Sequence, residues 1–277
     1  MTLVGGLTPE DAVERLLQTI DVPTAEPILV LPSMPNRPAF GTHPKIAAGL
    51  LSAVRSPTAV GIPDGTTLPV KRRWENLART LEARTVTLGR RGWDRVEFPG
   101  DSYRLDAAFL PSELTDAATL IAMPALRDDA LAIGFWREVA HPHTRLRMHN
   151  VDRDWMMAEL STTLRANYLL DASRLSGGLS INLLAWTDNS VAAELVGLGI
   201  RRYLEEARGY ESVGPWEHAR VQAAADLGHG PMSGSAILLR ADETLDGTRT
   251  IAVYLADQLG CGIEWVTARN TDGGYIA

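Results

Sequence analysis

The chain has one cysteine, Cys261, in 277 residues. That excludes an internal disulfide, an all-cysteine zinc site and an iron–sulfur cluster held by the chain's own thiolates. A reducing cytoplasm is the location expected of such a chain. Lysine is limited to Lys45 and Lys71, so nearly all of the 27 basic residues are arginines. Schiff-base chemistry therefore has only two side-chain amines to use. The skew, together with abundant alanine, suggests a GC-rich bacterial genome. No apolar run reaches the ~20 residues that span a bilayer, so no membrane partner is expected. The first residues, MTLVGGLTPEDAVERLL, lack the basic segment of an export signal. Positive charge is in deficit, with a formal net charge of -7, which argues against wrapping nucleic acid. The basic stretches Lys71-Arg72-Arg73, Arg90-Arg91 and Arg145/Arg147 are short. Walker, GxGxxG and GxSxG signatures are missing, which leaves nucleotide and serine-hydrolase chemistry without support.

Apolar residues at 45% and charged residues at 22% describe an ordinary globular chain with a sizeable core. The length suits one α/β domain over 1–277, or two sub-lobes divided near 126/127. Residues 8–20 read as a helix, with Thr8 as cap, Pro9 at the first position and acids in the first turn. PILVLP (27–32) reads as a buried strand, a helix runs from 44 to 55, and TAVGIPDG (58–65) is the next strand with its exit turn. Such β–α–β units imply a parallel sheet. The alternation continues with a helix over 69–83, a strand over 83–90 and a hairpin insertion around Pro99-Gly100-Asp101. A buried strand follows over 118–126, then helices over 127–139 and 152–166. The intervening HPHTRLRMHN (141–150) reads as a loop. Strands at 167–173 and 179–187 are joined through Ser176-Gly177-Gly178, as a hairpin or a tight link. Asp188 reads as the cap of a helix reaching Ala207. A helix covers 215–230, and SAILLRA, a helix near 247–259 and CGIEWVTA form a C-terminal β–α–β unit. The expected fold is thus a mostly parallel sheet flanked by helices.

Several segments, in order, carry a resemblance. PNRPAFGTHPKIAAGLL (35–51), VGIPDG (60–65), ATLIAMPALRDD (118–129), RLRMH (145–149), LLDAS (169–173) and TDNSVAAELVGLGI (187–200) resemble a bacterial and archaeal family, domain of unknown function 362. Its members are sometimes fused to ferredoxin-like iron–sulfur modules. The resemblance spans about 28–230 and implies an α/β fold with a small-molecule role. It supplies no reaction. Met34 stands where the family commonly has lysine, and Arg127-Asp128-Asp129 where it has Lys-x-His. The appended cluster cysteines are absent, so no iron–sulfur cluster is expected.

Open parallel sheets place their sites at the carboxyl ends of the strands. Here those ends carry Pro35-Asn36, Asp64-Gly65, the segment from Pro124 to Asp129, Asp171 to Ser173, and Thr187-Asp188. His149 lies beside Arg145 and Arg147 before a helix start, where it can act as acid or base on an anion held by the arginines. It can equally cap or pack. Asn36 and His43 surround a helix N-terminus as substrate-orienting groups, or belong to a proline-stiffened connection. Asp64 is an acid, base or ligand, and PDG is also a turn sequence. Asp188 is a catalytic candidate as well as a cap. Trp155 and Trp186 can line an apolar pocket. His141 and His143, with His149, have the spacing of metal ligands if the segment is extended, and Asp128, Asp129, Asp152 or Asp154 could complete that site.

These features point to a bacterial enzyme of secondary metabolism that acts on a small anionic or aromatic metabolite. The expected chemistry is proton transfer, as in an isomerase, cyclase or lyase. A divalent-metal enzyme built on 141–149 and a non-catalytic binding or scaffold protein are the alternatives. The expected partner is a small-molecule substrate, with homo-oligomerisation left open.

Overall fold

The computed structural model describes residues 1–35, 41–54, 58–98, 103–127, 131–148, 152–174 and 181–267. The chain opens with β1 (Thr2–Gly5), α1 (Pro9–Thr19), β2 (Ile28–Pro32) and α2 (Pro44–Ala53). Then come β3 (Thr58–Ile62), α3 (Leu68–Thr80), β4 (Arg84–Thr87), β5 (Trp93–Glu97) and β6 (Ala107–Pro111). The middle holds α4 (Ser112–Thr115), β7 (Thr119–Met123), α5 (Ala132–Val139), α6 (Pro142–Arg147) and α7 (Arg153–Ser161). Last are β8 (Asn167–Asp171), β9 (Leu183–Thr187), α8 (Ser190–Glu206), α9 (Ala219–Asp226), β10 (Leu238–Asp242), α10 (Asp246–Leu259) and β11 (Gly262–Val266).

Nine strands form one sheet in the order β11-β10-β1-β9-β8-β7-β2-β3-β4. The fold is α/β, and the C-terminal β–α–β unit is β10, α10 and β11. The central strands β2, β3, β7 and β9 are apolar at nearly every position and buried throughout, which is the pattern of a sheet covered on both faces. Alternation then sorts the side chains. Ile28, Val30, Ile121, Met123, Leu184 and Trp186 enter one core, which includes residues of α1, α2 and α3. Leu29, Leu31, Leu120, Ala122, Tyr168 and Leu170 enter the other, with α5, α7, α8 and α10. The sheet is continuous across 126/127, and β1 lies between β9 and β10, both from the far half of the chain.

The sequence expectations hold for β2, α2, β3, α3, β4 and β7, with boundaries shifted by a few residues. The insertion after β4 is an antiparallel β5–β6 hairpin; its expected tip lies outside the described residues. Four readings need correction. β1 was not expected: TLVG is too short to show a period, yet all four residues are buried. The segment after His141 is helical rather than a loop. Pro142 takes the first position of α6 and the His141 ring accepts from the His143 N–H at 3.1 Å, a cap that sequence rules assign to Ser, Thr, Asp or Asn. Asp188 does not cap α8; the Asn189 side chain accepts from the N–H groups of Val191 and Ala192, both at 3.0 Å. The helix expected over 215–230 starts as a short turn, Pro215–Glu217, and becomes α9 only from Ala219.

β9 runs antiparallel to both of its neighbours, β8 and β1, while every other pairing in the sheet is parallel. Its carboxyl end therefore lies at the edge where the other strands begin.

The turn from β1 into α1 depends on Gly6, where an added Cβ would lie 2.3 Å from the Ala12 backbone nitrogen and 2.7 Å from its Cα. Backbone cannot yield as a flexible side chain can. Gly6→Ala is therefore expected to cost about 1–3 kcal/mol, as overpacking does, read as a lower urea midpoint with an unchanged slope. A variant as stable as the parent would show that this turn has room to adjust.

Candidate functional site

The chain goes from β2 to β3 on one side, while β7 lies on the other side of β2. A crevice opens at such a divergence, beyond the carboxyl ends of the strands. It is present here as a cleft of about 580 Å³, within the range of small-molecule sites. Met34 and Pro35 enter it from the exit of β2, Pro63 to Thr66 from the turn after β3, and Arg127 from beyond β7. Gly134, Arg137 and Glu138 come from α5, and Pro142, Arg145 and Leu146 from α6.

One hydrogen-bonded chain organises the floor. Arg127 donates to the Glu138 carboxylate at 2.7 Å, and Ser33 donates to the same carboxylate at 3.1 Å. Ser33 is buried, and its backbone N–H donates to the Thr42 hydroxyl at 2.8 Å. That hydroxyl donates in turn to the Met123 carbonyl at 2.6 Å. The ends of β2 and β7 and the start of α2 are thus tied together beneath the Glu138 carboxylate. Arg145 differs from its neighbours, because its guanidinium has no acidic partner among the described residues while lining the cleft.

α5 needs help to form where it does. Its cap position is Leu131, which offers no side-chain acceptor. Glu194, fully buried on α8, supplies one by accepting from the Ile133 N–H at 2.8 Å. Burial pushes the Glu194 carboxyl up, and Arg220, 3.4 Å away, opposes that rise. Arg220 also meets Asp154 of α7 at 3.1 Å. A carboxylate from one helix therefore caps the helix that carries Glu138 and Arg137.

Of the residues singled out from sequence, Asp64 and Arg145 line this cleft. Asp64 is exposed, in a turn closed by the Thr66 N–H on the Pro63 carbonyl, so the turn and the cleft readings coincide. His43 is at the same edge but belongs to another cluster. Its ring caps α2 by accepting from the Lys45 N–H, and its backbone N–H donates to Asp171 at the end of β8. Burial, and then the Arg174 charge, lower the His43 pKa.

The other candidates lie elsewhere. Asp188 is exposed at the opposite edge of the sheet, because β9 is reversed. Burial lowers the pKa of the Met1 ammonium there, and the Asp188 charge opposes that effect. Arg147 faces Asp106 across 3.4 Å in an exposed pair. Trp186 is buried in the core beneath α1 and α2, and Trp155 lies under the Arg104 guanidinium, 5.4 Å from the ring centre. Neither lines the cleft. His141 uses a ring nitrogen as a cap and packs edge-on to Trp93 at 4.7 Å, while His143 is exposed. No cluster of three metal-ligating side chains occurs among the described residues. Asn36, Asp128, Asp129 and His149 lie outside the described residues.

Sequence reasoning missed Ser33, Arg137 and Glu138, and gave Arg127 no role in a site. A signal was present: Arg137 and Glu138 are the only charges in ALAIGFWREV (130–139), a segment otherwise built to be buried. Searches with protein-family models and among curated proteins found no match.

Two outcomes are expected of the groups around the cleft. Glu194→Ala removes the fully buried carboxylate beside Arg220 and leaves the partly exposed Asp154 in contact with it. Loss of one partner of a buried pair costs about 3–5 kcal/mol. Glu194→Gln keeps an acceptor for the Ile133 N–H and should lose less in the same denaturation experiment; equal losses would remove the capping role. His43 has a folded-state pKa below the usual imidazole value. Its contribution is complete above that usual value of about 6.5 and is lost as pH falls through the depressed one. Stability followed from pH 7.5 to 5 should therefore fall further for the parent than for His43→Asn, which keeps a capping oxygen. Parallel curves would contradict this.

Proposed function

We propose that this chain is an enzyme that binds a small anionic metabolite in the β2–β7 cleft and catalyses a proton transfer there. The observation that carries the reading is Arg145, a cation without an acidic partner among the described residues, sharing the cleft with the Glu138 carboxylate. An overall acidic chain that keeps such a group in a concave site has a built-in preference for anions there.

In this reading Arg145 anchors the carboxylate or phosphate of the substrate, and Arg137 adds to the positive field. Glu138 accepts a proton from the bound molecule and returns it at another position, which is an isomerisation; if a leaving group departs first, it is an elimination. Arg127 and Ser33 fix the orientation of the Glu138 carboxylate. Asp64, from the turn after β3, takes up or supplies a second proton in this reading. His149 follows α6 in sequence and remains a candidate for the same work. The family resemblance, to domain of unknown function 362, assigns none of these roles.

Binding and turnover are separable. In a thermal-shift screen of carboxylates and phosphate esters, some anions should raise the melting temperature by mass action. Arg145→Ala should weaken their binding at least tenfold, since a hydrogen bond to a charged group is worth about 1.5–3 kcal/mol. For the anions that bind, NMR in heavy water should show deuterium entering a carbon-bound position with the parent and not with Glu138→Gln. Binding without exchange in the parent would leave a binding protein rather than an enzyme. No stabilisation by any anion would end the reading.

A further inference from the structure

We infer that the ligand of the β2–β7 cleft is a monoanionic carboxylic acid with an apolar or aromatic body, rather than a phosphate ester. This assignment rests on the anion reading above and narrows it.

The first argument concerns what a phosphate would need. Phosphate sites draw on helix N-termini, whose free N–H groups and dipoles face the anion. Four helices start at this edge. The His43 ring caps α2. Helix α3, which has no side-chain cap, loses one N–H to Pro69 in its first turn and follows the Asp64 carboxylate of the lining. The other two starts are occupied. The Glu194 carboxylate caps α5 at the Ile133 N–H, so a negative charge sits where a phosphate would gain from the helix. The His141 ring caps α6 at the His143 N–H. Charge count points the same way: the lining holds three arginines, Arg127, Arg137 and Arg145, against the carboxylates of Glu138 and Asp64, an excess of one that a single negative charge balances. Arg127 is engaged with Glu138 at 2.7 Å, and Asp64 contributes a second carboxylate to the lining. A dianion would meet both acids. A single negative charge on Arg145 does not require either to be neutralised.

The second argument concerns the rest of the wall. Met34, Pro35, Pro63, Pro142 and Leu146 provide apolar surface next to these charges. Leu146 is 67% exposed, on the turn of α6 that also presents Arg145. A leucine left in water forgoes the gain of burial, and a ligand's apolar body seated against it would recover part of that. Adjacent residues thus offer one cation and one apolar contact, as the head and body of an amphipathic acid require. A cleft of about 580 Å³ has room for both parts.

The test measures binding of phenylacetate, acetate, phenyl phosphate and the neutral phenethyl alcohol to the full chain by calorimetry at constant ionic strength. Phenylacetate is expected to bind at least tenfold more tightly than each of the other three. Leu146→Asn, at an exposed position that leaves the core intact, should bring phenylacetate close to acetate. Arg145→Gln should bring it close to phenethyl alcohol. Phenyl phosphate binding as well as phenylacetate would overturn this inference and leave the anion reading standing. Equal binding of acetate and phenylacetate, or a preference that survives Leu146→Asn, would overturn the apolar-body assignment alone. If no anion binds, the anion reading fails and this inference falls with it.

Discussion

A buried carboxylate holds the functional edge of this molecule in place. Glu194 has no contact with solvent, and its bond to the Ile133 N–H fixes the first turn of α5. α5 begins at a residue that cannot cap it, so that turn would otherwise end on unsatisfied donors. Glu138, Arg137 and the Arg127–Glu138 pair all depend on where this helix sits. The cost of burying Glu194 is met by Arg220, itself held by Asp154 from a third helix. The polar groups of the cleft are thus positioned by a polar network on the far side of α5, out of contact with anything that enters.

The direction of one strand decides which residues can act together. The β8–β9 pair is antiparallel, so the exit of β9 points away from the exits of β2, β3 and β7. Asp188 and Asp64, both at strand ends in the sequence, are separated by the height of the sheet. A site built on strand exits at that edge can draw on β2, β3, β7 and β8 but not on β9. The cleft uses the first three, and the His43–Asp171 cluster occupies the fourth.

Most of the architecture was legible because strands such as ILVLP, TAVGI and TLIAM are short, apolar and bounded by prolines or turn residues, with amphipathic helices between them. What escaped was whatever depended on partners distant in sequence. β1 shows no period in four residues, and its place in the sheet comes from β9 and β10, both distant in sequence. α6 was hidden because histidine is an uncommon cap. Within the site, Asp64 and Arg145 could be found as polar residues beside strand exits. Ser33 and Glu138 could not, since their meeting depends on how α5 packs, and that packing is set by Glu194, more than fifty residues away along the chain.

The placement of β1 also bears on how the chain reaches this shape. Thr2 lies opposite Trp186 on one side and Arg240 on the other, so β1 has no strand to pair with until β9 or β10 has been made. Contacts of such long sequence separation slow folding. During synthesis β2, β3 and β7 can already associate, whereas β1 must wait as an unpaired apolar segment that is open to wrong pairings. Seating β1 between β9 and β10 thus links segments far apart along the chain in one hydrogen-bonded seam.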